Sequence, residues 1–219
     1  MFTVGRVSLC YPPLQVEVRT PRLSLCAATD DCLELLLPVV RAGVATTEPL
    51  PFDDPMSLYE DNPTREWRWL RGVWNARASV EPDGWRLNFV VMVDGAAAGI
   101  QDLIAIDFPA FGSVMTFSWL GPQFRGRGIG REMRGAILHL GFAGFEAREA
   151  TSEAFVDNDA SNAVSRSLGY ERNGSSWATR RGVPAPMCRW LLTRDRWAQQ
   201  RRSDIELVGV EACRPVLGL

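Results

Sequence analysis

The chain has 219 residues, 46% of them hydrophobic and 23% charged, a composition that excludes disordered and collagen-like proteins and permits a substantial buried core. The formal net charge of -2 argues against bulk nucleic-acid binding, and every basic residue is arginine, which excludes a Walker P-loop, a pyridoxal Schiff base and a Ser-Lys dyad. Five cysteines without a CxxC pair indicate neither a disulfide framework nor a metal site.

The N-terminal stretch MFTVGRVSLCYPPL lacks the uninterrupted apolar core of a signal peptide, and no run in the chain approaches the ~18 apolar residues of a membrane span. Together with the unpaired cysteines, this predicts a soluble, cytoplasmic protein. Residues 15–28 alternate around β-favouring residues and predict an edge strand broken by Pro21. The next segment, TDDCLELLLPVV, predicts a helix with Thr29 as its N-cap and an end near Pro38.

Residues 43–63 are rich in proline and predict a loop or lid. Pro63 suits the first turn of the helix that follows, in which Trp67, Leu70, Trp74 and Ala78 recur at helical spacing. We interpret the Trp67 and Trp74 stripe as a core face rather than as the wall of a ligand site.

Residues 85–106 contain the clearest local pattern, because two β-rich runs flank Asp94-Gly95, a dipeptide typical of tight hairpin turns. A third run, Ser113–Leu120, completes an antiparallel meander. A helix over residues 128–145, a strand over 149–156, a helix over 157–170, and a strand with a short helix over 185–197 follow. This order predicts an α+β fold in a single domain, residues 1–219, with a core of about 15–197 and a tail of 198–219. The apolar content of the tail after Ser203 favours packing against a neighbouring subunit in a homo-oligomer.

The segment RGRGIGREMR, residues 125–134, places three glycines beside four arginines at the start of a helix. A helix N-terminus has four backbone N–H groups without partners and a positive dipole end, and glycine lets a phosphate come close. Two known phosphate loops do not fit, because the sixth position of a Rossmann GxGxxG would be Arg131 and a Walker motif needs lysine. A plain strand-to-helix turn remains an alternative.

The longer segment FSWLGPQFRGRGIGREM resembles motif A of the GNAT superfamily of acyl-CoA-dependent N-acyltransferases, whose pattern Arg/Gln-x-x-Gly-x-Gly/Ala is matched by Arg125, Gly128 and Gly130. Downstream, VDNDASNAVSRSLGY resembles the corresponding segment of the RimJ/RimL-type branch, which runs Asn-x-x-Ser and then Leu-Gly-aromatic. The resemblance covers roughly residues 15–197. It implies a GNAT fold with a mixed sheet, in which a meander and a parallel crossover meet at a splayed strand pair.

The resemblance also implies an acyl-CoA co-substrate, with pantetheine along the last meander strand and the pyrophosphate on the glycine loop. By the same resemblance, a backbone N–H near Leu120 polarises the thioester carbonyl, and Ser161 donates to the departing thiolate. Asn158 reaches the pantetheine, although it can equally be a plain N-cap. The cofactor-binding residues implied are Ser118, Trp119, Leu120, Arg125, Gly126, Arg127, Gly128, Ile129, Gly130 and Asn158.

The general base is not evident, because the segment SSWATRRGVPAP, where RimL-like relatives carry it, contains no carboxylate. Glu153 is the first substitute, Asp102 and Asp107 are others, and Gln101 can orient a substrate or a water. Since an α-amine of pKa ~8 is neutral far more often at pH 7 than a lysine-type amine of pKa ~10.4, a missing base favours a peptide N-terminus or another low-pKa amine as acceptor.

The predicted function is therefore transfer of an acyl group, acetyl first and succinyl or another short acyl group second, from acyl-CoA to an amine. A non-catalytic acyl-CoA-binding or sensing protein is the alternative. Binding to RNA or the ribosome through arginines finds no support in the net charge. His139 is interpreted as a structural residue within the motif A helix.

Overall fold

The computed structural model describes residues 10–43 and 48–219; residues 1–9 of the N-terminal stretch and 44–47 of the expected loop lie outside them. Within these residues, one mixed sheet of nine strands runs in the order β7-β8-β6-β5-β4-β3-β2-β1-β9. In this described part of the chain only β5 and β6 pair in parallel, so the predicted α+β class and mixed sheet are confirmed. The strands are β1 (Glu17–Arg19), β2 (Ser24–Ala27), β3 (Gly84–Val93), β4 (Ala96–Ile106), β5 (Ser113–Leu120), β6 (Glu149–Phe155), β7 (Glu171–Arg180), β8 (Val183–Thr193) and β9 (Glu206–Val208).

Helices cover both faces of the sheet and bury two apolar clusters. One face carries α4 (Ile129–His139) and a core that includes Phe89, Leu103 and Ile137, and the other carries α1 (Asp30–Ala42) and α2 (Thr64–Ala78) over Val90 and Trp119. No helix in residues 10–43 and 48–219 is long and apolar enough to cross a membrane. The helices are α1 (Asp30–Ala42), α2 (Thr64–Ala78), α3 (Phe108–Phe111), α4 (Ile129–His139, extended by a π-helical turn, Leu140–Gly144), α5 (Asp159–Ser167), α6 (Arg194–Gln199) and α7 (Val210–Cys213).

The N-terminal strand prediction is corrected in two ways. Residues 17–27 form two antiparallel strands, β1 and β2, joined by a turn at Thr20–Leu23, rather than one strand broken by Pro21. Neither lies at the sheet edge, because β9 pairs with β1 in the register Val18 with Leu207.

Helix α1 does not end near Pro38, as expected, but continues to Ala42 before Gly43. The side chain of Thr29 caps it by accepting from the N–H of Cys32 at 3.3 Å. Proline removes one helical hydrogen bond, yet Pro38 and Glu34, whose carbonyl loses its donor, both lie on the exposed face, where water can replace the bond. The buried residues Leu36 and Val40 hold the last turn against the sheet.

The tryptophan stripe of α2 is not a core face. Trp67 and Trp74 are 46% and 47% exposed, whereas Trp69 and Val73 are buried. Trp67 has the guanidinium groups of Arg68 and Arg71 within 5.4 and 5.3 Å of its ring centroid. The predicted helix is confirmed, but its buried face is formed by Trp69 and Val73 rather than by the predicted tryptophans.

The central meander agrees with the prediction. Strands β3 and β4 form a hairpin whose turn residues Asp94 and Gly95 both have positive φ, 50° and 79°. The β4–β5 pair follows in the register Gln101 with Ser118. Residues 48–63, within the expected loop, contain only one 3-10 turn, Ser57–Tyr59.

Two strands were not predicted. Strand β7 pairs with β8 through a turn at Arg181-Gly182. Most of its residues are exposed, so its sequence shows no alternation of apolar and polar residues that would predict a strand. Strand β9 lies in the tail, where Val210, Cys213 and Leu217 are buried in the chain's own core. These three apolar residues therefore pack within the chain itself, and homo-oligomerisation through the tail stays a prediction.

Candidate active site

A cleft opens in the sheet where β5 and β6 separate. The two strands pair only through Ser113–Met115 and Glu149–Thr151, although β5 continues to Leu120 and β6 to Phe155. The space between them measures about 510 Å³ and is closed at one end by Pro51–Asp53 of the proline-rich loop. We call it the β5–β6 cleft.

The second half of β5 offers its backbone to this cleft. Ser118, Trp119 and Leu120 line it and pair with β4 on their other side only. Because successive peptide groups of a strand point to alternate sides, the side away from β4 presents N–H and C=O groups to a bound molecule. This is the main-chain edge that the sequence analysis expected for pantetheine.

The glycine loop lies at one end of the β5–β6 cleft and leads into α4. Gly126 and Gly128 have φ of 70° and 78°, a conformation that L side chains rarely adopt, so the backbone itself requires two of the three glycines. Gly128 is the N-cap, which leaves the first N–H groups of α4 facing outward. Arg22, from the β1–β2 turn, donates to the carbonyl of Arg127 at 2.8 Å. An anion placed here meets backbone donors and nearby arginines.

Arg125 connects the loop to the strand. Its Nε donates to the carbonyl of Leu120 at 3.1 Å, and burial lowers the pKa of its guanidinium. Two of the expected cofactor residues do not line the β5–β6 cleft with their neighbours: Arg127 is exposed outside it, and Ile129 is buried in the core. The residues that do line it are Ser118, Trp119, Leu120, Arg125, Gly126, Gly128, Gly130 and Asn158.

The N-terminus of α5 forms the opposite wall. Asn158 caps the helix by accepting from the N–H of Ser161 at 3.1 Å, and its amide donates to the carbonyl of Pro51 at 3.3 Å. The plain N-cap interpretation therefore describes its bonds, and the second bond also holds the loop over the cleft. Ser161 lines the cleft, and its hydroxyl accepts from Arg134 at 3.4 Å.

Arg134 was missed by the sequence analysis. It lies on α4, is 6% exposed, lines the cleft and donates to Ser165 Oγ at 2.9 Å. Burial lowers the pKa of its guanidinium, and the Tyr170 hydroxyl opposes this; burial likewise raises the pKa of Tyr170 to about 12. The helical periodicity of the sequence could have identified Arg134, because it lies one turn after Gly130 and one turn before Ile137, on the apolar face of α4.

A second cavity of about 200 Å³ lies on the α1–α2 face of the sheet. Trp69 of α2 meets Trp119 edge to face at 6.2 Å between ring centroids, and residues 55–58 of the loop close the side. Phe117 and Trp119 line both this cavity and the β5–β6 cleft. We call it the Asp102 cavity after its one buried carboxylate.

Asp102 is 1% exposed and accepts from Arg86 Nε at 2.9 Å and Nη2 at 2.6 Å, both through Oδ2. Its Oδ1 is buried and makes no hydrogen bond within the described residues. Burial raises the pKa of this carboxyl, and the neighbouring Arg86 and Asn88 oppose the rise. An oxygen in this state can accept a proton or a hydrogen bond from a molecule in the cavity.

The other expected catalytic residues lie in different surroundings. Glu153 lines the β5–β6 cleft and forms an ion pair with Arg189 at 3.0 Å. Gln101 is fully buried on the opposite face of β4 from Asp102, and its Nε2 donates to the carbonyls of Asp102 and Phe117 at 3.1 Å each. Asp107 is exposed and caps α3, outside both cavities. His139 is buried against Trp197 in the core, and burial lowers its pKa.

Known proteins share both the family pattern and the fold. Residues 42–171 match the family model of the acetyltransferase (GNAT) domain. RimJ of Mycobacterium smegmatis in complex with CoA-disulfide is similar over 88% of this chain and 97% of its own, with 16% identity and a TM-score of 0.70. The RimL ribosomal alpha-N-protein acetyltransferase in complex with coenzyme A covers 80% of this chain and 95% of its own, with 20% identity and a TM-score of 0.61.

The spermidine/spermine N-acetyltransferase SpeG from Vibrio cholerae is also similar, over 83% of this chain and 99% of its own, with 14% identity and a TM-score of 0.62. At these identities the likeness establishes the fold. The family is established by the match to the domain model, which spans more than half of the chain. The chain belongs to the acetyltransferase (GNAT) family of acyl-CoA-dependent N-acyltransferases.

Proposed function

We propose that the chain moves a short acyl group from acyl-CoA, held in the β5–β6 cleft, to a primary amine that enters from the Asp102 cavity. The observation that carries this assignment is the pair Phe117 and Trp119, which lines both spaces. A thioester in the cleft and an amine in the cavity can therefore meet across β5 in near-attack geometry. The CoA thioester supplies the activated carbonyl and the leaving group.

The donor half of the reaction uses backbone and arginine. The outward N–H groups of the glycine loop and the side chain of Arg125 fit a pyrophosphate, since helix N-termini bind anions. The free edge of Ser118–Leu120 fits pantetheine and can donate an N–H to the developing oxyanion. Ser161, at the opposite wall, is proposed as the donor to the departing sulfur.

Asp53 of the cleft is exposed, which leaves two carboxylates, Glu153 and Asp102, as candidates for the base that takes the proton of the amine. Glu153 lies in the cleft itself, where its carboxylate forms an ion pair with Arg189 at 3.0 Å. Asp102 keeps one buried oxygen that makes no hydrogen bond with the described part of the chain, and burial raises its pKa, which makes it a stronger base. We therefore rank Asp102 above Glu153, which the sequence alone ranked first.

The acceptor is proposed to be an α-amine, such as a peptide N-terminus, or another amine of low pKa. Such an amine is neutral about one part in ten at pH 7, so the base acts mainly by taking the proton that the nitrogen loses as the C–N bond forms. Membership in the family and the two available carboxylates favour this enzyme over a non-catalytic sensor. Because all five cysteines are free, we place the reaction in the reducing cytoplasm.

The test is release of free CoA from acetyl-CoA and from succinyl-CoA against a panel of amines, read with a thiol reagent. We expect amine-dependent release that is fastest with acetyl-CoA and with peptide N-termini. Reaction with the acyl donor but without amine sets the background. Thermal stabilisation by CoA without release on any amine would contradict the proposal and support the sensor.

A further inference from the structure

Arg134 is a buried cation that has no anionic partner among residues 10–43 and 48–219. Its side chain lies between α4 and α5, is 6% exposed, and forms no ion pair there. Its bonds go to two neutral hydroxyls, Ser165 at 2.9 Å and Ser161 at 3.4 Å, and its Nε has no hydrogen-bond partner. A guanidinium stays charged even when burial lowers its pKa, because its ordinary pKa is above 12.

Burying an unpaired charge is costly, and apolar replacements of buried charged groups often leave a protein equally or more stable. The fold therefore gains nothing evident from an arginine at this position. Arg134 does line the β5–β6 cleft, so a bound molecule can supply the missing negative charge. The position points to a ligand role rather than to a packing role.

The hydrogen bonds around Ser161 indicate how Arg134 could act on a bound ligand. Arginine can only donate, so Ser161 Oγ must act as the acceptor in its bond with Arg134. The hydroxyl proton of Ser161 is then left to point elsewhere, and the side chain faces the cleft. A serine held in this way can donate a hydrogen bond toward the cleft, with a guanidinium nitrogen 3.4 Å from its oxygen.

We propose that Arg134 is a positioning residue that fixes the Ser161 hydroxyl as a donor and stabilises the thiolate charge of the departing CoA. This inference rests on the proposed function, because only an acyl-CoA places a sulfur beside Ser161. In the step itself, the amine nitrogen forms the C–N bond, the C–S bond breaks and its electron pair stays on sulfur. The proton that the nitrogen loses balances the one that the thiolate finally takes up.

Other charged groups act on the same sulfur. Asp53 and Glu153 line the cleft and would raise the pKa of a bound thiol, whereas Arg125 and Arg131 would lower it. Tyr170, whose pKa burial raises to about 12, faces Arg134 and stays neutral at ordinary pH. Because all of them remain in an Arg134 variant, the difference between variant and wild type isolates the guanidinium.

The direct experiment measures the thiol pKa of bound CoA by the ultraviolet absorbance of its thiolate. We expect a pKa below that of free CoA in the wild type, and a pKa higher by at least about one pH unit in Arg134→Met. Arg166→Met is the matched control, since Arg166 is an exposed arginine on α5 that lies over Trp190. Equal thiol pKa values in wild type and Arg134→Met would overturn the inference.

Kinetics and folding supply the second readout. In Arg134→Met we expect kcat to fall about 10- to 100-fold while KM for acyl-CoA stays within about twofold. Its melting temperature should be unchanged or higher, whereas a structural role predicts a lower one. Arg134→Gln keeps a donor without the charge and should resemble Arg134→Met; full activity in Arg134→Gln would overturn the charge argument.

The two proposals fail in different ways. If the wild type transfers no acyl group, the thiol pKa of bound CoA still tests Arg134 alone. If transfer occurs and Arg134→Met loses only a preference for succinyl-CoA over acetyl-CoA, Arg134 binds the acyl carboxylate and the leaving-group inference is wrong.

Discussion

The β5–β6 cleft and the Asp102 cavity share two aromatic residues of β5 but are assembled from different material. The cleft is lined by longer runs of the chain, chiefly within residues 116–120, 125–134 and 158–164, and the end of β5 and the glycine loop can offer backbone N–H groups to a bound molecule. The Asp102 cavity takes side chains from five separate stretches, within residues 55–58, 69–73, 86–88, 100–102 and 117–119. A donor common to a family can be held by a short backbone motif, whereas an acceptor is held by side chains that the fold gathers.

This contrast predicts that the two sites can be damaged together only through the strand they share. Gly99 on β4 lies against that strand, and a Cβ there would overlap the Trp119 carbonyl oxygen and lie 3.0 Å from Leu120 Cα. Because both atoms are backbone, the strand itself must shift. Gly99→Ala should lower the free energy of unfolding by about 3 kcal/mol or more and weaken CoA and amine binding alike.

Urea unfolding measures the stability change, and calorimetry with CoA measures binding. Gly135→Ala is the matched control, since it sits inside α4 with its nearest neighbour, Leu168, at 3.8 Å. It should be neutral or stabilising by about 1 kcal/mol. A Gly99→Ala protein as stable as wild type would mean that the close approach of β4 to β5 is not needed.

Asp102→Asn should impair the reaction of the amine and leave CoA binding unchanged. We expect kcat/KM for the amine to fall at least about 100-fold, with the Kd for CoA within about twofold. A base must be ionised to act, so activity rises with pH through its pKa, and burial places this rise above the pH range of an ordinary aspartate. The part of the acid limb that the amine's own pKa of ~8 does not account for should therefore remain in Glu153→Gln and disappear in Asp102→Asn.

Asp102→Asn also leaves Arg86 without its ion-pair partner, so its unfolding free energy must be measured beside its kinetics. If Asp102→Asn is folded and keeps the wild-type pH profile while Glu153→Gln loses it, the ranking of the two bases is reversed. If neither variant changes the pH profile, neither carboxylate is the base, and the amine loses its proton to water.

Gly128→Ala should weaken CoA binding and leave the acceptor site unchanged. Holding alanine at the φ of 78° costs about 1–2 kcal/mol, so the Kd for CoA should rise about 5- to 30-fold if the loop relaxes to avoid the strain. Gly130→Ala tests whether the glycines are needed for a positive φ or for room beside the phosphate. Gly130 has an ordinary φ, and its nearest side-chain atom, in Val164, is 3.9 Å from the position of a Cβ. A weaker Kd there would indicate that the bound phosphate needs the room.

The same division explains how far the sequence could be read. The glycine loop, the Asn158 cap and the end of β5 were predicted because each is a local pattern of consecutive residues. Arg134 and Asp102 acquire their character only in the fold, because distant segments bury both of them. Among the residues that the structure describes, Arg134 has no carboxylate partner and Asp102 Oδ1 has no hydrogen-bond donor. Strand β7 has no apolar alternation, and β9 is only three residues long, so neither carried a strand pattern.

The smallest expected effect is that of Trp67→Ala in α2, and its comparison with Trp69→Ala locates the wall of the acceptor site. Trp67→Ala removes an exposed ring that contacts the guanidinium groups of Arg68 and Arg71, so stability should change by about 0.5–1 kcal/mol and acyl transfer should not change. Trp69→Ala removes a buried ring from the Asp102 cavity, should cost about 3–5 kcal/mol and should raise KM for the amine. A rise in KM for Trp67→Ala alone would move the acceptor from the Asp102 cavity to the exposed face of α2, and β5 would then no longer divide the donor site from the acceptor site.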